Sequence, residues 1–415
     1  MDMYDILLAR YLGAGGGGGG GGDSKDANAD VVLFDYDGTV VKSYTKEEFL
    51  ALSALPANPS HEGLTGQGWN YSLTDAKAYV TKYGKIRIGQ TYITSDGKTR
   101  IKIKLEDGRL EPVLGLGING TVDVDWGDNT THGTMTGDKV ATLVQLKHVY
   151  AAPGEYTIAL TVEGSMAFLG NSVYLSALLR KDGVTSATSA ESRPYQNAVK
   201  EVYIGSGVTT FTDYSFCNCH SLTSITIPDG VTSIGANAFG ACFSIQSVII
   251  PDGVTSIVGN AFQQCSSLKS VIFPDSVTSI SGSTFYNCSA FSSVIFPDSV
   301  TSISNYMFYY CYSITSVIIP DSVTSIGSYA FTVCISLTSI SIPADVASIG
   351  TNAFQNCYSL AFIKFKGSTP PTAEGSNTFV NLPTDCIIYV PAGSLEDYED
   401  ATNYPDPDVY QYIEY

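Results

Sequence analysis

Apolar residues in the second half of the chain recur with a fixed spacing of 23 positions. One unit reads IPDGVTSIGANAFGAC and the next reads IPDGVTSIVGNAFQQC. Six such units begin at Ile227, Ile250, Phe273, Phe296, Ile319 and Ile342. The phenylalanines from Phe216 to Phe354 and the cysteines from Cys219 to Cys357 keep the same spacing. This period predicts a solenoid, because each coil buries its apolar face only by stacking on its neighbours.

The alternation inside one unit predicts how a coil folds. Val248 and Ile250 are expected to point into the core and Ile249 outward, since side chains alternate along a strand. The proline that follows ends the strand, and the Asp-Gly or Asp-Ser after it makes a turn. The segment AFQQC at 261–265 predicts a short helical turn that closes the core.

These repeats resemble the BspA-type leucine-rich repeat family of bacterial surface proteins across residues 199–390. The ending IIYVPAGSLEDYEDA, from Ile387, is similar to the end of such arrays, and residues 391–415 are interpreted as a cap and acidic tail. The resemblance implies an adhesion or host-binding protein in which no repeat residue is catalytic. It also implies a protein or glycan ligand on the solenoid and no cofactor.

Strand-like alternation also covers residues 86–164, ahead of a junction at 165–198 that is expected to cap the first coil. The strings VDVDWGDNTTHGT, from Val122, and HVYAAPGEYTIALTV, from His148, resemble the signatures of PKD domains. PKD domains are immunoglobulin-like β-sandwiches that act as extracellular spacers. The resemblance places Trp126 in the core of a sandwich.

The chain before the sandwich divides into three predicted pieces. Residues 1–12 are interpreted as an anchor helix, with a disordered terminus as the alternative. Residues 13–30 are interpreted as a glycine-rich linker, because polyglycine has no preferred structure. Residues 31–85 are expected to form a small α+β module with capping boxes that start at Thr45 and Ser72. The string ALPANPSHEGLTGQGWNYSL in this module resembles segments of prophage-encoded structural proteins of gut bacteria.

The string VVLFDYDGTVV, from Val31, resembles the first motif of haloacid dehalogenase-like phosphatases, in which the first aspartate is the nucleophile. That fold needs a doubly wound sheet of well over a hundred residues, whereas a β-rich domain follows here after about 50 residues. A strand followed by a turn at Asp37 and Gly38 explains the string better. The phosphatase is therefore a remote alternative.

The charge narrows the range of partners. The formal net charge is -18 and the pI is near 4.5, which disfavours nucleic acid and anionic membrane surfaces. No apolar run is long enough to insert into a membrane, and the first residues have no basic segment typical of a secretory signal. We therefore expect the protein on a virion surface or outside the cell, with the N-terminal helix docked on a larger assembly.

Two columns of reactive side chains follow the period. The cysteines are interpreted as small buried thiols, because a zinc site needs four ligands that converge on one point. We expect no disulfides, since in-register stacking sets the Cβ vectors side by side. The aspartates are interpreted as caps of their own turns, with a bound cation as the alternative. They are Asp229, Asp252, Asp275, Asp298 and Asp321.

Positions that differ between units are the candidate binding residues, because the fold does not dictate them. One set is an outward apolar stripe, either an interface or a surface that the N-terminal domains cover. It comprises Ile249, Ile272, Ile295 and Ile318. The other set is aromatic and suits protein or sugar recognition, unless it only stabilises the surface by stacking. It comprises Tyr286, Tyr306, Tyr309, Tyr310, Tyr312 and Tyr329.

The predicted fold is mainly β with short helices: a leucine-rich-repeat solenoid, an immunoglobulin-like β-sandwich and a small α+β module. The predicted function is non-enzymatic binding, by a phage or prophage fibre or decoration protein that presents the solenoid to a host-surface or mucosal ligand. The alternative is a secreted adhesin of a gut bacterium. No metal site is expected.

Overall fold

The computed structural model describes residues 29–171, 175–176, 178–181 and 193–415. The predicted anchor helix and nearly all of the predicted linker lie outside the described residues, as does part of the predicted junction. The described chain is mainly β with short helices, and it contains a repeat solenoid, a sandwich-like sheet region and a small α+β module. The predicted fold class is therefore confirmed.

The module is a four-stranded mixed sheet with two helices, in the strand order β2-β1-β4-β3. Its elements are β1 (Val31–Phe34), β2 (Val40–Tyr44), α1 (Lys46–Leu50), β3 (Leu64–Trp69), α2 (Leu73–Tyr83) and β4 (Ile86–Thr94). Helix α1 begins at the predicted capping box, in which Thr45 Oγ1 accepts from the Glu48 N–H. The predicted boundary between residues 85 and 86 is wrong, because β4 pairs with both β1 and β3.

The second region is an antiparallel set of long strands whose buried apolar side chains belong to one core cluster. They are β5 (Thr99–Leu105), β6 (Pro112–Asp125), β7 (Gly133–Lys147) and β8 (Gly154–Phe168). Strand β8 lies between β5 and β6, and β7 pairs with the far side of β6. Trp126 is buried and stacks on His148 with ring centroids 4.7 Å apart, while the Tyr150 hydroxyl donates to the Trp126 carbonyl at 3.0 Å. Trp126 therefore lies in the core, as expected.

Each coil of the solenoid contributes one strand to each of two parallel stacks. The first stack holds β12 (Val199–Tyr203), β14 (Ser224–Thr226), β16 (Ser247–Ile249), β18 (Ser270–Ile272), β20 (Ser293–Ile295), β22 (Ser316–Ile318), β24 (Ser339–Ile342), β26 (Phe362–Phe365), β28 (Ile387–Val390) and β29 (Gln411–Glu414). The second holds β13 (Val208–Phe211), β15 (Ser233–Ile234), β17 (Ser256–Ile257), β19 (Ser279–Ile280), β21 (Ser302–Ile303), β23 (Ser325–Ile326), β25 (Ser348–Ile349) and β27 (Thr372–Ala373). Partners such as Ser247 and Ser270 are one repeat apart, so the sequence period is the strand register.

The sandwich strands cap the solenoid directly. Strand β5 pairs with β12, and the end of β8 pairs with β13. One buried cluster runs from Ile101 through the repeats to Tyr398. The sandwich is therefore continuous with the repeat core, and the cap is not confined to residues 165–198 as predicted. The remaining short elements are β9 (Gly170–Asn171), β10 (Leu175–Ser176), β11 (Leu179–Lys181), α3 (Arg193–Gln196) and α4 (Leu395–Glu399).

Identical side chains form ladders inside the solenoid. Buried phenylalanine rings stack from Phe216 to Phe379, with neighbouring centroids 5.2 to 5.9 Å apart. All nine cysteines are buried free thiols. The Cys265 thiol donates to the Phe239 carbonyl at 3.1 Å, and Cys242, Cys288, Cys311, Cys334 and Cys357 repeat this bond. Each thiol thus ties its coil to the preceding one.

The predicted helical turn at 261–265 is wrong. Asn260 has φ 63° and Gln264 has φ 60°, and the equivalent positions of the six other coils between residues 214 and 356 are also left-handed. A left-handed residue cannot continue a right-handed helix, so the segment folds as successive turns. The left-handed positions are Tyr214, Asn237, Asn260, Ser283, Tyr306, Tyr329 and Asn352, and Asn218, Ala241, Gln264, Asn287, Tyr310, Val333 and Asn356.

Candidate binding surface

The outward isoleucine stripe is largely covered by the module. Ile249 and Ile272 are buried, and Ile249 lies so close to Gly89 that a Cβ there would be 2.6 Å from Ile249 Cγ2. Ile295 packs against the module core, and only Ile295 and Ile318 keep partial exposure. The interpretation of this stripe as a free interface is therefore wrong, and its alternative, cover by an N-terminal domain, is confirmed for the first three residues.

The aspartate column also contacts the N-terminal module. Tyr71 and Tyr83 donate their hydroxyls to the carboxylates of Asp275 and Asp298. Lys82 Nζ lies 3.0 Å from Asp298 Oδ2 and 3.7 Å from a carboxylate oxygen of Asp321. The expectation that the carboxylates cap their own turns is wrong for Asp275, Asp298 and Asp321, because they bind side chains of the module. Asp321 also pairs with Lys366 Nζ at 2.9 Å.

The alternative of a bound cation gains no support from the geometry. Across the described ranges, no group of three or more His, Cys, Asp or Glu side chains is placed to hold a metal ion. Helix α2 of the module supplies a lysine where a cation would otherwise relieve the repulsion between carboxylates.

The six candidate tyrosines form one continuous cluster, which we call the tyrosine surface. Tyr306 stacks on Tyr329 at 4.8 Å, and Tyr286 stacks on Tyr309 at 5.3 Å. Tyr309 also meets Tyr306 and Tyr310 edge to face, at 5.7 and 4.2 Å. Tyr312 joins through Tyr310 at 5.8 Å. The structure thus brings together side chains that the sequence separates by up to 43 positions.

The tyrosine surface is open to solvent and uncharged. Tyr306 and Tyr312 are each 38% exposed, and the other four are partly exposed. A hydrogen bond with Tyr310, together with partial burial, raises the pKa of Tyr309 to about 12. That hydroxyl therefore stays protonated at neutral pH, and the cluster offers polar tips on broad apolar rings.

Three of these tyrosines have an unfavourable backbone conformation. Tyr306, Tyr310 and Tyr329 have φ of 57°, 63° and 59°. A left-handed backbone is disfavoured for residues with a Cβ, and asparagine tolerates it best among them. Asparagine holds three of the seven equivalent positions in each column, and Tyr214, which lies outside the cluster, shares the first column with Tyr306 and Tyr329. Asparagine would adopt this backbone at lower cost than the three tyrosines of the cluster do.

Two further residues extend this surface and were missed by the sequence interpretation. The position after each repeat cysteine is occupied by Tyr312, Ile335 and Tyr358 in three successive coils. Ile335 is 36% exposed and Tyr358 is 57% exposed. Following this one position along the repeat would have identified both. The exposed apolar column therefore continues past the last tyrosine of the cluster.

The phosphatase-like string folds as the predicted strand and turn. Strand β1 ends at Phe34, Gly38 has φ 86°, and the Gly38 N–H donates to the Asp35 carbonyl at 3.0 Å. Asp35 is buried, and its carboxylate lies 2.6 Å from His61 Nε2. The surrounding sheet is mixed and has four strands, so it is not the doubly wound sheet that the phosphatase fold requires.

Within the described ranges, no helix combines the length and hydropathy needed to cross a membrane.

Comparison with known proteins identifies the repeats. Residues 194–311 and 256–384 match the BspA type Leucine rich repeat region, with 6 copies. No curated protein matches the chain.

Among solved structures, a leucine rich cell surface protein from Faecalibacterium prausnitzii is 36% identical over 51% of this chain and 55% of that one, with a TM-score of 0.38. This chain thus spans about half the length of that relative. A T. pallidum leucine rich repeat protein is 32% identical over 37% of this chain and 72% of that one, with a TM-score of 0.36. From residue 194 to residue 384, the chain belongs to the BspA-type leucine-rich repeat family.

Proposed function

We propose that this chain is a non-enzymatic binding protein that recognises a protein ligand through its tyrosine surface. The observation that carries the proposal is the left-handed backbone of Tyr306, Tyr310 and Tyr329. Backbone strain of this kind is retained where a side chain has a function that outweighs its conformational cost. The other coils show that the fold accepts asparagine at the same positions.

The chemistry of the surface suits a protein partner. Tyrosine rings bury a large area and lose little rotamer entropy, while their hydroxyls satisfy polar groups of the partner. The rings already stack on one another, so little ordering is left for the binding step. The adjacent Ile335 and Tyr358 supply an apolar margin. None of the six tyrosines lines either of the two cavities described below, which favours a macromolecule over a small molecule.

The full chain should be tested on an array of bacterial-surface and mucosal proteins and glycans, as wild type and as Tyr309→Ala/Tyr310→Ala. We expect binding to one or more protein spots, and a loss of at least about tenfold in the double variant, since clustered aromatic residues dominate binding energy. Phe243→Ala is the matched control, because Phe243 is an exposed aromatic residue at the repeat position of Tyr312 and lies outside the cluster. Equal binding by wild type and double variant would refute the proposal, and binding to glycan spots alone would reassign the ligand class.

We further propose that the solenoid is displayed on a virion, as a fibre or decoration protein, with the N-terminal segment docked on the particle. The support is the resemblance of part of the module to prophage structural proteins. The competing carrier is a bacterial cell surface, where the chain would act as a secreted adhesin. An antibody against the solenoid applied to purified particles and to cell-wall fractions decides between them. Signal in the cell wall alone would reject the virion.

A further inference from the structure

A cleft separates part of the module from the outward face of the solenoid. Its main cavity has a volume of about 250 Å³ and lies between β1 and β4 of the module and strands β16, β18 and β20 of the solenoid. A second cavity of about 130 Å³ adjoins it and shares Arg87, Ser292 and Ser293 as lining residues. We call the two together the interface cleft. It lies on the strand face of the solenoid, whereas the tyrosine surface lies on the turns.

Positive charge is concentrated in this cleft although the chain as a whole is strongly acidic. The chain has 22 Lys and Arg residues against 40 Asp and Glu. Lys85, Arg87 and Lys269 nevertheless all line the interface cleft. Across the described ranges, none of the three forms an ion pair with a carboxylate. Asp30 is the acidic group whose charge acts on Lys85 and Arg87, and its carboxylate already accepts the Lys46 N–H.

The Arg87 guanidinium has N–H groups that donate to no acceptor among the described residues. Its Nη1 donates to the carbonyls of Asp30 and Ile86 at 3.4 and 3.1 Å, which leaves its remaining N–H groups without an acceptor among the described residues. Burial lowers the pKa of Arg87 to about 10, so the guanidinium is still charged at neutral pH. Burial and the neighbouring Arg87 also lower the pKa of Lys85. A bound anion would relieve both effects.

The rest of the lining combines serine hydroxyls with apolar side chains such as Ile272 and Ile295. Ser247 lines the main cavity, is only 8% exposed, and its hydroxyl has no hydrogen-bond partner among the described residues. A buried hydroxyl without a partner is costly, and a ligand that bonds to it would remove this cost. Asp37 lines the same cavity and can accept from hydroxyl groups of a ligand. Gln246 Oε1 already accepts from Lys269 Nζ at 3.3 Å, so Gln246 would bind a ligand by donating from its amide N–H groups.

We propose that the interface cleft binds an acidic saccharide unit, a sugar that carries a carboxylate or a sulfate group. Arg87 and Lys269 would pair with the anionic group, because a guanidinium forms charge-assisted bonds with planar or tetrahedral anions. Ser247, Gln246 and Asp37 would bind the ring hydroxyls, which a bare inorganic anion lacks. A cavity of about 250 Å³ is smaller than most drug-sized sites, so it suits one sugar unit rather than a folded protein segment.

Isothermal titration of the full chain at low salt tests the proposal with four probes: methyl β-D-glucuronide, glucose 6-sulfate, methyl β-D-glucoside and inorganic sulfate. We expect one of the two acidic sugars to bind at least about tenfold more tightly than the neutral glucoside and than sulfate, the factor that one charge-assisted bond contributes. The carboxylate and sulfate probes show which acidic group is preferred.

The variants separate the site from general electrostatics. Lys269→Gln removes an exposed ammonium and leaves the packing intact, and it should weaken binding of the acidic sugar several-fold. Arg87→Gln should weaken it by about tenfold or more, with circular dichroism as the check on folding. Lys104→Gln is the matched control, since it removes an equal charge from an exposed pair with Glu155 outside the cleft.

Four results would overturn the proposal. They are no binding of either acidic sugar at about 10 mM, equal affinity for the neutral glucoside, equal affinity for sulfate, and equal effects of Lys269→Gln and Lys104→Gln. Tyr309→Ala/Tyr310→Ala should bind the acidic sugar like the wild type. The interface cleft and the tyrosine surface are thereby tested independently.

Discussion

Tyr310 and Val333 occupy the same position of neighbouring coils and share a left-handed backbone, with φ of 63° and 60°. The two residues differ in what surrounds them. Tyr310 lies 4.2 Å from Tyr309 and 5.8 Å from Tyr312, measured between ring centroids, whereas the Val333 side chain is half-buried without an aromatic role. Replacing each by asparagine separates the cost of the backbone from the contribution of the rings.

The magnitudes follow from these surroundings. A left-handed backbone costs an ordinary L-residue about 1–2 kcal/mol, and asparagine relieves roughly 1 kcal/mol of that. Val333→Asn loses part of the contribution of one half-buried methyl group, about 0.5 kcal/mol, so we expect a net stabilisation of about 0.5 kcal/mol. Tyr310→Asn gains the same relief but loses three ring contacts, with Tyr286, Tyr309 and Tyr312, of about 0.5–1.5 kcal/mol each. It should therefore destabilise by about 0.5–3.5 kcal/mol.

Calorimetry of the full chain measures both changes, at about 2–4 °C of Tm for each kcal/mol. Val333→Thr is the control, because threonine keeps the branched Cβ and should bring no relief. Amide hydrogen exchange within 300–340 localises the change if the solenoid does not unfold in one step. A lower Tm for Val333→Asn would refute the strain argument, and an equal rise for Tyr310→Asn would show that the rings contribute nothing to stability.

Three further predictions concern the core and the module contact. Phe262→Ala should lower the free energy of unfolding by about 3–5 kcal/mol, because Phe262 is fully buried between two stacked rings. Urea unfolding checks this, with Phe243→Ala as the control because Phe243 is exposed. Equal destabilisation by the two substitutions would contradict the stabilising role of the phenylalanine ladder. The nine cysteines should not react with Ellman's reagent in the native protein and should all react in denaturant, since burial raises the pKa of thiols such as Cys265. Rapid labelling of the thiols in the native protein would contradict their burial. Burial, and then Asp229 and Asp275, raise the pKa of Asp252 to about 6, so its ionisation opposes folding as the pH rises from about 4 through 6. Asp252→Asn should therefore increase the free energy of unfolding at about pH 7.5, by less than about 1 kcal/mol because solvent still reaches this side chain and screens its charge, and leave it unchanged at about pH 4. The Tm at the two pH values checks this.

The repeat half of the fold was predictable because its information is local and periodic. A spacing of 23 residues defines the strand register, so Ser247 faces Ser270 without any knowledge of the rest of the chain. The inward positions follow from alternation, and Val248 and Ile250 are fully buried as predicted. The six tyrosines were found for the same reason, because a residue that departs from its repeat column is visible in the sequence.

The remaining errors share one physical cause. A pattern shows that a face is apolar but not which element covers it. The alternation of apolar and polar residues in β4 is equally compatible with a place in the module and with a place in the sandwich. Only its pairing with β1 assigns β4 to the module. In the same way, nothing in the isoleucine column identifies Gly89 as the residue that packs on Ile249. The left-handed turns were missed because only three of seven positions in each column carry the asparagine that signals them.

The contact between module and solenoid determines which surfaces are left for partners. The module occupies the strand face over coils that begin near Asp229 and extend to Asp298 and Asp321. A ligand of the solenoid must then bind either where the two meet or on a face that the module leaves open. The interface cleft is the first of these places, and it carries unpaired positive charge. The tyrosine surface is the second, and it carries residues that the backbone disfavours. In both places the side chains depart from what packing requires, and such departures are expected where a residue is kept for its ligand.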